Sequence, residues 1–176
     1  MHYKQFAPYL LGPAILLSTL AAYPQQRTAA DQSNDPIDQM HVPYGISINL
    51  TDAKKVIATA TALAQKQNWE VAIAVVDVSG ELISFDRLDG AENAAVQMAI
   101  SKAQSAVTYR RPTKAFEDRL AQGGDNLRIL AMKGVMPVDG GVPIVVGGKI
   151  IGAVGISGGS SAEDGRCAAA AAIALQ

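Results

Sequence analysis

One cysteine, Cys167, and two histidines, His2 and His41, are all the chain holds of the side chains that most often close disulfides and ligate metals. A lone cysteine excludes an intrachain disulfide and a cysteine-rich metal site. With only His41 outside the expected signal, residues 1–26, a cage of two or three histidines within one chain is excluded as well. Charge of one sign is also missing: 15 Lys and Arg face 16 Asp and Glu. Such a balance draws a protein neither to nucleic acid nor to an anionic membrane. No apolar run spans a bilayer comfortably, since the best of them, Tyr9 to Leu20, covers 12 residues and is broken by Gly12-Pro13.

Missing motifs narrow the chemistry further. Gly155-Ile156-Ser157-Gly158-Gly159 fits G-x-S-x-G, the nucleophile elbow, yet no histidine follows Ser157 to complete the order serine, acid, histidine. The glycine spacing from Gly152 onward matches neither the dinucleotide fingerprint nor the lysine-bearing phosphate loop. No strand-helix-strand alternation accompanies it. Backbone N–H groups of this loop, at a helix start, could receive an anion, or the glycines could simply make tight turns. Without C-x-x-C-H there is no covalent haem attachment, but a haem needs only one or two axial ligands. His41, Tyr44, Tyr109, Met40 and Met136 are eligible, although a lone histidine at a domain edge is more often a surface residue.

What is present reads in order. Residues 1–26 carry His2 and Lys4, then the short apolar run, then Ala21 and Ala22, which is the arrangement of a secretory signal. Residues 27–40 have linker composition. The folded domain is expected over 41–176. Thr51 is an expected N-cap for a helix to Gln67, with Val56, Ile57, Ala60, Leu63 and Ala64 at helical spacing. Val71–Val78 and Glu81–Arg87 read as strands joined at Ser79-Gly80, the first apolar almost throughout and hence central. Asp77 reads as a turn residue. Glu92–Tyr109 is an alanine-rich helix whose stripe, Ala95, Met98, Ala99, Lys102 and Ala106, implies close packing on a sheet or on a neighbouring helix. Pro112 ends it, and Thr113 caps a short helix to about Leu120.

The best-defined module is the last. Val142–Val146 and Lys149–Ile156 flank Gly147-Gly148, a hairpin signature, and Gly152, Ala153 and Gly155 leave room for another backbone to approach. Ser160 with Glu163 then has capping-box spacing for a C-terminal helix. The result is an α+β sandwich with largely antiparallel strands. Cys167, among alanines, reads as a buried thiol. Arg110 and Arg111 could hold carboxylates or propionates by bidentate hydrogen bonds, or could cap the preceding helix.

The segments SKAQSAVTYRRPTKAFED and GGVPIVVGGKIIGAVGISGGSSAED, together with the stretch from Ile46 to Ala91, resemble the GlcG/HbpS family of haem-binding or "haem-degrading" domains, also found at the C-terminus of some cobalamin adenosyltransferases. The resemblance covers residues 44–175. It implies a five-stranded, mainly antiparallel sheet with helices packed on it, a profilin-like αβα sandwich, and homo-oligomers from dimers to octamers. It further implies an exported haem (tetrapyrrole) or iron binder, periplasmic or secreted, linked to haem handling or redox sensing through a sensor-protein partner. The motif R-R-P-T-x-x-F carries Arg110, Arg111, Thr113 and Phe116 over as ligand contacts, with Tyr44 nearby and His41 as axial ligand by rough position. The family's T-P-E-Q-D after the paired glycines is replaced by Ser160-Ser161-Ala162-Glu163-Asp164, which keeps the cap and the acid. A ligand loop of Gly158, Gly159, Ser160 and Asp164 is expected there. The alternatives are a small-molecule enzyme moving a proton on an organic acid, with Asp164 as base, and an oligomeric binding subunit without chemistry.

Overall fold

The unbroken apolar run along β1 (Ala72–Asp77) decides the layering, because odd and even positions of a strand face opposite ways and both faces must be covered. The computed structural model describes residues 42–176; the expected signal and linker and His41 lie outside them. Four helices and four strands follow in the order α1 (Leu50–Gln67), β1, β2 (Leu82–Arg87), α2 (Asn93–Tyr109), α3 (Lys114–Ala121), a 3₁₀ helix (Gly124–Ala131), β3 (Gly141–Val146), β4 (Lys149–Ser157) and α4 (Ser161–Ala172). The sheet order is β2-β1-β4-β3, and every neighbouring pair is antiparallel.

Five strands were expected from the resemblance, whereas the sheet has four among the described residues. The ladder of β1 on β4 ends with Asp77 opposite Gly152, leaving Ile150 open for pairing. The lead-in fills that place only with an isolated parallel bridge from Tyr44, in which Ile150 N–H donates to Pro43 O and Gly45 N–H donates to Ile150 O. Pro43 has no N–H to extend the ladder, and α1 begins a few residues on. That helix is capped by Asn49 rather than Thr51, because the Asn49 side chain, on extended backbone, accepts the Asp52 N–H at 2.9 Å.

On one face of the sheet Val71, Ile73, Val75, Ile144, Val154 and Ile156 pack against Val56, Ile57, Ala60 and Ala64 of α1 and Cys167, Ala168 and Ala171 of α4. Burial there pushes the Cys167 thiol up to about 11. On the other face Ala72, Ala74, Val76 and Ala153 meet Ala95, Ala99, Ala103 and Ala106 of α2. Small residues on both sides let α2 approach until a Cβ at Gly155 would lie 2.0 Å from Ala99 O. Helix, sheet and helix thus form three layers. The β3-β4 hairpin turns at Gly147 and Gly148, with φ of 57° and 72°, the left-handed pair that a two-residue loop of this type requires. Asp77 Oδ1 accepts the N–H groups of Ser79 and Glu81, the turn role expected of it.

Candidate functional site

The buried stripe that seats α2 on the sheet includes one charged residue. Lys102 falls in register with Ala95, Ala99 and Ala106, so the packing that buries them buries its whole side chain. A buried ammonium is tolerated only when paired, and its partner comes from α4. Lys102 Nζ lies 2.7 Å from Asp164 Oδ2 and donates to Ile156 O at 3.0 Å. The other oxygen, Asp164 Oδ1, accepts the Gly159 N–H at 3.0 Å. Burial still pushes the Asp164 carboxyl above its usual range, with Lys102 and the Gly159 N–H working against the rise.

Beside this pair, α3 reaches α4 through Glu117. Its Oε2 accepts the Ser161 hydroxyl at 2.6 Å and the Asp139 N–H at 2.5 Å. Half-burial raises the Asp139 carboxyl, the Gly140 N–H opposes that rise, and the Glu117 charge adds to it. These groups satisfy one another and make a closed charged seam between α2, α3 and α4.

A second polar region is open. The helix α2 ends with Arg110 in the left-handed conformation, φ 54°, closed by Arg111 N–H donating to Ala106 O. The chain thereby turns at the helix end, and Arg111 comes to lie with its guanidinium 5.7 Å from the Phe116 ring centroid. Its Nε donates to Tyr109 O at 3.0 Å. Phe116 is fixed in turn by an edge contact with Tyr109, ring centroids 5.3 Å apart. The 3₁₀ helix supplies the facing wall. Between them lies a cavity of about 330 Å³ lined by Arg111, Phe116 and Arg119 on one side and by Asn126, Arg128, Ile129, Ala131 and Met132 on the other. Guanidiniums around an aromatic and aliphatic floor suit a flat apolar ligand that carries carboxylates.

The expected site residues therefore separate. Arg111 and Phe116 line the cavity. Tyr44 and Arg110 sit together at the end of α2, where the Tyr44 hydroxyl donates to Val107 O at 2.8 Å and the Arg110 guanidinium lies 5.6 Å from the Tyr44 ring. Thr113 is fully buried, and its Oγ1 accepts the Gly141 N–H at 2.9 Å while its own N–H donates to Gly141 O. In the Gly158, Gly159, Ser160 loop, the N–H groups of Gly159 and Ser160 are taken by Asp164 and Glu163 of α4 itself, the latter through the expected capping box. Hydrogen bonding by the Ser160 N–H holds the Glu163 carboxyl below its usual range. Sequence reasoning did not single out Arg119, Asn126, Arg128, Ile129 or Met132. Their usable signal was three basic or amide side chains interleaved with apolar ones just beyond R-R-P-T-x-x-F.

A protein-family model described as "Haem degrading protein HbpS-like" matches residues 48–173. The GlcG protein of Escherichia coli K12 is 40% identical over 105 residues, 60% of this chain and 77% of the relative. Among solved structures, a double mutant of HbpS from Streptomyces reticuli is similar with a TM-score of 0.68 and 30% identity, over 75% of this chain and 89% of that one. A PduOC:heme complex is similar with a TM-score of 0.67 and 26% identity, over 74% and 96% of the two chains.

Proposed function

The chain belongs to the HbpS-like family, and from that premise we propose that it binds a haem-type tetrapyrrole non-covalently in the cavity between the α2–α3 corner and the 3₁₀ helix. The observation that carries this reading is the donor set: Arg111, Arg119 and Arg128 stand around an apolar floor of Phe116 and Ile129. That set fits a macrocycle with propionates. The guanidiniums would hold the carboxylates by charge-assisted hydrogen bonds, each worth roughly 1.5–3 kcal/mol, and the ring of Phe116 would lie against the apolar face. Bound haem supplies an iron centre that takes axial ligands and changes oxidation state. The heme complex of PduOC supports the reading by likeness.

The same proposal includes export, which rests on the signal-like composition of residues 1–26, and fractionation of the producing cells tests that part. A proton-transferring enzyme with Asp164 as base finds less support, since both Asp164 oxygens are already engaged and the side chain is 3% exposed.

Hemin titration of the purified full chain, followed through the Soret band, tests the ligand. Saturable binding is expected, weakened about tenfold in Arg128→Ala by loss of one charge-assisted bond. Hemin uptake that is non-saturable, or indifferent to both Arg128→Ala and Phe116→Ser, sinks the reading.

A further inference from the structure

Among the residues that line the cavity, only one carries an atom that haem iron accepts. Iron in haem proteins is held by imidazole, thiolate, thioether or phenolate. The guanidiniums of Arg111, Arg119 and Arg128 have no lone pair to give, and Phe116 and Ile129 have no donor at all. Met132 has a thioether. It follows the 3₁₀ helix directly, its N–H donating to O of the buried Ile129 at 3.1 Å, so the backbone is anchored while the residue as a whole stays 37% exposed and lines the cavity.

Met98 lies within α2 and does not line this cavity, and four other described candidates are committed elsewhere. The Tyr109 hydroxyl donates to Lys133 O at 2.7 Å and the Tyr44 hydroxyl to Val107 O at 2.8 Å. Met136 lines a different cavity, alongside Ser101 and Gln104. Cys167 is sealed in the core between α1 and α4.

We propose that Met132 supplies an axial ligand to the haem iron, an assignment that rests on the tetrapyrrole reading above. The sulfur lone pair forms one dative bond; nothing is oxidised, and a thioether has no proton to release. A soft neutral ligand of this kind favours the ferrous state and raises the reduction potential.

Ferric and ferrous spectra of hemin-loaded full chain, compared among wild type, Met132→Leu, Met132→His and His41→Ala, decide it. The wild type should show the weak long-wavelength sulfur-to-iron charge-transfer band. Met132→Leu should keep the saturable Soret change but lose that band and shift the potential downward. Met132→His should replace it with an imidazole-ligated spectrum. A Met132→Leu spectrum and potential equal to wild type, or loss of the axial signature in His41→Ala alone, overturns the assignment and leaves tetrapyrrole binding intact. Absence of any Soret change in the wild type overturns tetrapyrrole binding, and the assignment with it.

Discussion

The seam around Lys102 and the cavity around Arg111 are both rich in charge and both built on α2, one from its middle and one from its end. In the seam the ammonium and the Asp164 carboxylate are taken out of water together, and backbone groups satisfy what remains of each. In the cavity, guanidiniums border an opening floored by Phe116 and Ile129. Two environments thus give charge opposite uses. A buried pair is costly to desolvate and, once formed, strongly penalises loss of either partner, so it fixes how α2 and α4 sit on the sheet. Arginine at an opening stays charged and presents planar donors whose geometry matches a carboxylate.

That contrast is broken most forcefully at Lys102. Lys102→Met should cost about 3–5 kcal/mol, because it leaves Asp164 buried without its cation; urea unfolding reads it. Adding Asp164→Leu should return much of the loss, and a double variant no more stable than the single one would show that the seam is not a simple pair. Next in size is Gly140→Ala. Gly140 has φ 118°, and a Cβ there would lie 2.9 Å from Lys102 Nζ and 2.5 Å from Ile156 O. A loss of roughly 1–3 kcal/mol is expected in the same measurement, from crowding and backbone strain together. At the open end, Arg128→Ala should leave stability within about 0.5 kcal/mol of wild type, its effect falling on hemin affinity instead. A large stability loss there would erase the distinction between the two regions.

The smallest effect expected is on pH dependence. Burial raises the Asp139 carboxyl in the folded chain, so folded protein keeps this proton at pH values where unfolded chain has lost it. The resulting destabilisation is absent in acid and complete once the pH has risen above the raised value. Asp139→Asn should therefore flatten the fall in stability between the ordinary carboxylate range and that value. Equal slopes for variant and wild type in urea melts across the range would show that Asp139 does not contribute it.

Much of the architecture was legible from local pattern. The four strands among the described residues and the Gly147-Gly148 turn follow from short apolar or alternating runs set off by glycine, and α4 follows from Ser160 and Glu163, because each signal is short in range. Asn49 displaced Thr51 as the cap of α1 because several polar residues crowd that start, and only backbone conformation chooses among them. The site was less legible. R-R-P-T-x-x-F lies at a corner that borders a cavity, but its four side chains diverge: Thr113 turns inward to Gly141, Arg110 back to Tyr44, and only Arg111 and Phe116 reach the cavity. Lys102 was visible as a charged residue on an alanine stripe, yet nothing local could name its partner 62 residues away.

Periodicity, glycine placement and capping spacing determined by themselves that the described residues make two hairpins and four α-helices with small residues on facing surfaces, since those preferences act within a few residues along the backbone. Which charges would be buried together and which would border an open cavity was decided only in three dimensions. Burial and pairing depend on residues brought close by the sheet, and the close seating of α2 that buries Lys102 in the middle of the helix does not extend to its C-terminal end, where Arg111 borders the cavity.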